Sequence, residues 1–270
     1  MKKIFSFSIA LFLFCMMSAQ AQTNAEQLKV PLSAPGKAYS LHIDLVNGSI
    51  KASGYDGNEI LIDVKARGKK EVSDDAPGGM KRISPKNSFD ITAKEDNNVV
   101  TVENNDVNKV VDLYLKIPKN VKLRLSTINN GDIEVENVQG ELEINNVNGA
   151  IKCTGITGSV VASTVNGNVI TTFNSIDDKA PMAFSTLNGN VDVSFPASAK
   201  SNFRLKSERG EIFTDFDIDI DKTQPKTETK RESGMYQLKL DDWIMGKING
   251  GGPEVMMKNM NGNIYVRKNK

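Results

Sequence analysis

Histidine, cysteine and tryptophan are almost absent from this chain. Its 270 residues hold one His, two Cys and one Trp, and aromatics make up 6%. A zinc site of four cysteines, or of two cysteines and two histidines, cannot be assembled from that stock. A His-based hydrolytic triad has a single candidate, His42. Net charge is nearly absent too. Lys+Arg is 34 against 33 Asp+Glu, a balance of +1, without the basic excess of a nucleic-acid binder. No amphipathic helix is evident after residue 17, and no later stretch approaches the ~20 apolar residues that span a bilayer. What is present is 39% apolar and 25% charged sequence, enough for one large domain or two small ones and too apolar for global disorder.

The start reads as an address. Lys2-Lys3 precede an apolar run from Ile4 to Met17, and Ala19-Gln20-Ala21 closes it. A basic start, a short apolar stretch and an Ala-x-Ala end predict a secretory signal peptide, residues 1–21, cleaved after Ala21. The mature chain, 22–270, is then exported to the periplasm, the cell surface or beyond. Lipid attachment at Cys15 is disfavoured, because Phe14 stands where a small residue is required. Cleavage removes Cys15 and leaves Cys153 alone, so no intrachain disulfide forms and Cys153 is expected in the core.

The middle of the chain repeats. Glycines fall at 131, 140, 149, 158 and 167, nine apart, and Asn-Gly pairs at 130-131, 148-149 and 166-167, eighteen apart. Asn188-Gly189 and Arg209-Gly210 continue the series with coils of 22 and 21 residues. Ile133, Ile151 and Val169 keep the same period, as do Val135, Cys153 and Thr171, and the pair Val147 and Val165. Each nine is apolar at its first, third and sixth places. Alternation marks a short strand, the sixth residue turns the corner inward, and a Gly completes the turn. An antiparallel meander and a parallel solenoid both fit. Odd and even turns differ, Asn-Gly in one set and Gln139-Gly140 or Thr157-Gly158 in the other. That difference favours stacking of equivalent residues. The expected fold is all-β: a single-domain right-handed parallel β-solenoid with coils of 18–22 residues, clearest over 123–216.

Outside the repeat, Leu41–Val46 and Ile60–Val64 around Asn47-Gly48 and Asp56-Gly57 predict one more coil. Residues 67–86 read as a loop, and Phe89–Ala93 with Val99–Val102 as a hairpin around Glu95–Asn98. Val111–Ile117, Val121–Leu125, Tyr236–Leu240 and Ile264–Val266 read as strands, and Asp217–Ser233 as a charged, mobile loop.

The stretch from Val111 to Pro118, followed by Leu125–Ile133, the run of Val-Asn-Gly turns, and Gly246–Gly252 with Asn261–Ile264, resembles the bacterial "putative adhesin" domain of unknown function. The resemblance covers roughly residues 40–266. It implies an exported bacterial β-solenoid and supplies no catalytic residues.

Several residue sets are weighed as sites. Thr127, Thr164 and Thr186 precede Asn-Gly turns and could form a hydroxyl row for ice or sugar. Asn146 interrupts that row, Thr127 sits one place out of phase, and Thr suits strand surfaces anyway. Asn130, Asn148, Asn166 and Asn188 form a candidate amide ladder, structural rather than recognitive. Asp215, Asp217, Asp219 and Asp221 alternate with apolar residues and would share one strand face. A straight row diverges, whereas calcium needs convergent oxygens. His42 with Asp44 is a conceivable dyad on the solvent phase of a strand, and Trp243 is expected to cap one end of the core. Asp132, Glu134, Glu136, Glu141 and Glu143 could pair for glycosidic chemistry, which needs carboxylates about 5–9.5 Å apart. No catalytic, cofactor or metal residue is assigned, and no cofactor is expected. The expected function is a non-enzymatic envelope or surface protein binding a glycan or an envelope partner. The alternatives are a periplasmic structural or envelope-stress component, and a carbohydrate-active β-helix enzyme by fold analogy only. Open strand edges at the ends of the stack would allow self-association.

Overall fold

A computed structural model describes residues 27–67, 89–221, 226–232, 235–241 and 243–269. The expected signal peptide and the expected loop beyond Arg67 lie outside these residues, as do the side chains of 222–242. Every regular element described is a β-strand. The strands used below are β1 (Gln27–Pro31), β2 (Tyr39–Asn47), β3 (Ile50–Tyr55), β4 (Glu59–Ala66), β5 (Ile91–Asp96), β6 (Val99–Asn104), β7 (Val111–Pro118), β8 (Asn120–Asn129), β9 (Ile133–Glu136), β10 (Gln139–Asn146) and β11 (Ile151–Asn166). They continue with β12 (Val169–Ile176), β13 (Met182–Asn188), β14 (Val191–Phe195), β15 (Ser201–Ser207), β16 (Ile212–Thr214), β17 (Asp219–Ile220), β18 (Lys226–Glu232), β19 (Met235–Asp241), β20 (Ile244–Ile248), β21 (Glu254–Asn261) and β22 (Ile264–Lys268).

The 18-residue period is a register. Leu123 of β8 faces Leu142 of β10, which faces Val160 in the second half of β11. Ile133 of β9 faces Ile151 at the start of β11, which faces Val169 of β12. Each coil thus lays one strand in each of two parallel ladders. The ladders join through β11, which bends at Gly155, where its register shifts. Inward residues of both fill one core, including Leu41, Leu125 and Ile144 from the first and Ile50, Val135 and Cys153 from the second. The corner residues Val138 and Ile156 are buried as the pattern requires. Val147 and Val165, at the same sixth place in the alternate nines, are not. Val165 is 36% exposed, because the even corner is turned by glycine and leaves that side chain on the outer face.

The order in space departs from the order in sequence at both ends. In the first ladder it runs β6, β2, β8, β10, β11, β13, β21, β15. In the second it runs β7, β3, β9, β11, β12, β14, β22, β16. The first coil, β2–β3, is therefore inserted one place in from its end. The last, β21–β22, is likewise inserted between the coils of β13–β14 and β15–β16. Two sequence expectations are corrected. Gly210 does not stack on Gly189, since Gly262 lies between them. Ile60–Val64 is no further coil: β4 runs antiparallel to β7.

Antiparallel strands close one end of both ladders and the other end of the first. The expected hairpin is β5–β6, turning on Asn97 and Asn98 at φ 52° and 63°, and β1 and β4 cover the second ladder. At the other end β20 and β17 cover β15. Lys226–Glu232, expected within a loop, is instead strand β18, paired with β19.

Glycine sets the spacing of the even corner. A Cβ on Gly149 would lie 2.1 Å from the Gly131 carbonyl oxygen, and one on Gly167 would lie 2.2 Å from that of Gly149. The column continues through Gly189, Gly262 and Gly210, each against the carbonyl of its spatial predecessor. Coils widen from 18 to 22 residues where the core changes from Ala162 to its register partner Phe184. Phe173 stacks on Phe195 at 5.4 Å and meets Phe184 edge-on at 6.3 Å, so the longer coil encloses larger rings.

The inserted first coil is clamped by Asp112 of β7. Its Oδ1 accepts the Ser49 N–H at 3.0 Å and the Ser49 hydroxyl at 2.5 Å. Arg67 donates to Oδ2 at 2.7 Å and reaches the Asn130 carbonyl at 2.6 Å. Burial pushes the Asp112 carboxyl up, but the bonds from Arg67 and Ser49 outweigh it and hold the group below its ordinary value.

Two outcomes follow. Gly149→Ala would drive its Cβ into the Gly131 carbonyl, with the Asn146 and Asp132 side chains also within 3 Å, so a loss of about 3 kcal/mol is expected, the upper part of the overpacking range. A urea melt measures it, and unchanged stability would contradict the column. A carboxyl with a depressed folded pKa contributes stability above its unfolded pKa and loses it as pH falls through the folded value. Asp112→Asn should therefore cost about 1–2 kcal/mol at pH 7. The gap to the parent should close as pH drops below about 4, near the unfolded Asp pKa. Thermal melts from pH 7 to 2.5 would reveal a gap that stays constant, the contrary result.

Candidate functional site

The threonine row is inside the fold. Thr127, Asn146, Thr164, Thr186, Asn259 and Ser207 occupy one register column of the first ladder. All but Ser207 are buried. Each donates to a carbonyl of the glycine column: Thr127 to Gly48 at 2.8 Å, Asn146 to Gly131 at 3.1 Å, Thr164 to Gly149 at 2.9 Å, Thr186 to Gly167 at 2.8 Å, Asn259 to Gly189 at 3.2 Å and Ser207 to Gly262 at 3.0 Å. Asn146 fills the row rather than interrupting it. Thr127 only looks out of phase because one extra residue, Asn130 at φ 64°, is accommodated before Gly131. A row pointing inward offers no hydroxyls to ice or sugar.

The amide ladder exists and bonds to itself. Asn148 donates to Asn129, Asn166 to Asn148, Asn188 to Asn166 and Asn261 to Asn188, at 2.7–2.9 Å. Asn130, expected in it, bonds Asn47 instead at 2.9 Å, and Asn129 takes its place. Asn261 was not anticipated, yet Asn259-Met-Asn-Gly-Asn-Ile264 matches Thr186-Leu-Asn-Gly-Asn-Val191 almost place for place. That likeness was the available signal for the inserted coil.

The carboxylates are engaged structurally. Lys51 meets Glu134 at 2.9 Å, Lys122 meets Glu141 at 3.1 Å and Arg124 meets Glu143 at 3.6 Å, each across neighbouring coils. Asp132 accepts the Ala150 N–H at 2.7 Å. Glu136 stands beside Glu134 on the outer face of β9. The Asp215–Asp221 series does not share one strand face. Asp215 accepts the Lys268 N–H and Asp219 meets Lys247 at 3.3 Å. The chain bends between β16 and β17, and Phe216 turns inward. Among the described residues no group of three His, Cys, Asp or Glu converges on a metal position. His42 and Asp44 share the outer face of β2. Cys153 is fully buried, and burial pushes its thiol up to about 12. Trp243 lies half-buried before β20, its ring 4.3 Å from the Arg204 guanidinium. It braces that end of the first ladder rather than sealing the core.

The outer face of the first ladder was missed by the sequence reading. The residue between each buried donor and each ladder amide points outward. Val46, Ile128, Val147, Val165, Leu187 and Met260 line up across six strands. Ile128 is 41%, Leu187 43% and Met260 39% exposed, and Val161 in a neighbouring column 43%. Between these columns runs a third: Glu103, Asp44, Ser126, Asn145, Ser163, Ser185, Lys258. It is acidic at one end, hydroxyl and amide in the middle, and basic at the other.

The family model Toastrack DUF4097 matches residues 119–266, within the span of the resemblance seen in the sequence. No curated protein matches the chain. Two solved structures are similar. One is a "putative cell adhesion protein" from Clostridium sporogenes ATCC 15579, at 11% identity and TM-score 0.43, covering 90% of this chain and 98% of that one. The other is a "putative adhesin" from Bacteroides fragilis NCTC 9343, at 10% identity and TM-score 0.31, covering 90% and 96%.

If the threonine column is structural, Thr164→Val, which keeps shape and removes one hydrogen bond, should destabilise the fold by about 1–2 kcal/mol. Chemical denaturation measures this, and an unchanged midpoint would show the hydroxyl to be dispensable.

Proposed function

Starting from a chain that belongs to the Toastrack DUF4097 family, we propose a non-catalytic binding module of the bacterial envelope or cell surface. The observation that carries this reading is the outer face of the first ladder. A protein rarely leaves a contiguous apolar column in water unless something covers it. Here that column rests on a frame whose spacing is locked by glycine, so the face is rigid and preorganised. The carboxylates best placed for acid–base chemistry, Glu134, Glu141 and Glu143, are neutralised by cations one coil away, which supports a binding role over a catalytic one.

Export is part of the proposal and rests on the pattern of residues 1–21. Right-handed coiling also belongs to it, supported by the general handedness of parallel strand connections. A glycan or an envelope protein is the expected class of ligand.

Location is the test. A C-terminal tag is followed through fractionation of the native host and protease shaving of intact cells. Tag in the envelope or outside the cell is expected, and cosedimentation with the envelope should drop with Leu187→Asp. Retention in the cytoplasm would overturn the address. Cosedimentation untouched by Leu187→Asp would overturn the role of the face.

A further inference from the structure

We propose that the outer face of the first ladder docks against a second copy of this chain, related to it by a two-fold axis. The inference rests on the binding reading of that face and names its partner. The argument is charge complementarity along the central column. Glu103 and Asp44 are exposed at one end, and Lys258 is exposed at the other. None of the three has an ion-pair or hydrogen-bond partner among the described residues. Five strand spacings separate Asp44 from Lys258, about 24 Å. The residues between them, Ser126, Asn145, Ser163 and Ser185, carry no charge.

An isologous contact maps each end of such a column onto the opposite end of its mate. With the axis between Asn145 and Ser163, Asp44 of each copy faces Lys258 of the other. The axis runs parallel to the strands, so the same rotation lays Val46, Ile128 and Val147 against Met260, Leu187 and Val165. Along that column apolar positions therefore meet apolar ones, beside a row where charges meet opposites. Size is consistent as well. With the amide ladder on one side and the Lys122–Glu141 column on the other, the face measures about 27 by 29 Å, close to the roughly 800 Å² that each partner gives to a standard interface. A heterologous partner has no reason to match this column end for end.

Sedimentation equilibrium of the full-length chain, purified as the cell processes it, tests the contact over a range of concentrations. A reversible dimer is expected. Lys258→Glu should weaken it at least about tenfold, and Asp44→Lys combined with Lys258→Glu should restore it to within about threefold, because the reversed charges again face opposites. Both positions are exposed, and circular dichroism checks that the fold is kept. A monomer at every concentration overturns the inference. So does a dimer indifferent to Lys258→Glu, or one that the double exchange fails to restore. A monomer that still cosediments with the envelope through Leu187 would remove the second copy while leaving the binding reading intact.

Discussion

The structure depends on how closely one coil can approach the next at the even corner. Strand ladders fix neighbouring backbones about 4.8 Å apart. At the corner, the carbonyl oxygen of one coil occupies the space where a side chain of the next would begin. Glycine is the one residue that fits, as the 2.1 Å approach at Gly149 shows. The carbonyl that intrudes is bonded by Thr, Asn or Ser three residues before the next glycine, or four in the case of Thr127. A close approach that would otherwise bury an unsatisfied acceptor, at about 1–3 kcal/mol each, becomes a repeated hydrogen bond. The apolar column follows from the same geometry. One residue separates the buried donor from the ladder amide, and on a strand it can only face outward.

Periodicity made the repeat legible from sequence because its physical cause is local and recurs every 18 residues. Strand type, the inward alternation of Ile133, Val135 and Val138, and the burial of Cys153 all follow from it. The direction of the sixth residue did not. Val138 and Val147 hold equivalent places in consecutive nines, yet one corner turns inward on a side chain and the other on a glycine. The threonine column was misread for a related reason. Counting residues cannot see the extra one absorbed by Asn130, so the buried row looked broken and surface-bound.

The insertion of the terminal coils was hidden because linear spacing imitated a simple stack. Gly189 and Gly210 are 21 residues apart, a believable coil, while the true neighbour Gly262 lies 73 residues from Gly189. Side-chain chemistry carried the information that spacing lacked. The bond from the Asn261 amide to Asn188, and the one the Asn263 side chain accepts from the Glu211 N–H, require amide side chains at 261 and 263. The segment Asn259–Ile264 supplies them, and Ser207-Glu-Arg-Gly-Glu-Ile212 does not.

Insertion also explains how the chain ends its stack. A solenoid that stopped on a parallel coil would present a long open edge, a template for other strands. Here the outermost coils each lie between an inserted coil and antiparallel strands, β5 and β4 at one end and β20 at the first ladder's other end. The hairpin β5–β6 turns tightly on two asparagines, and β1 carries Lys29 and Pro31, which discourage further pairing. Association through the edges is thereby disfavoured. The flat outer face of the first ladder remains as the surface on which apolar side chains, hydroxyls and unpaired charges are displayed together.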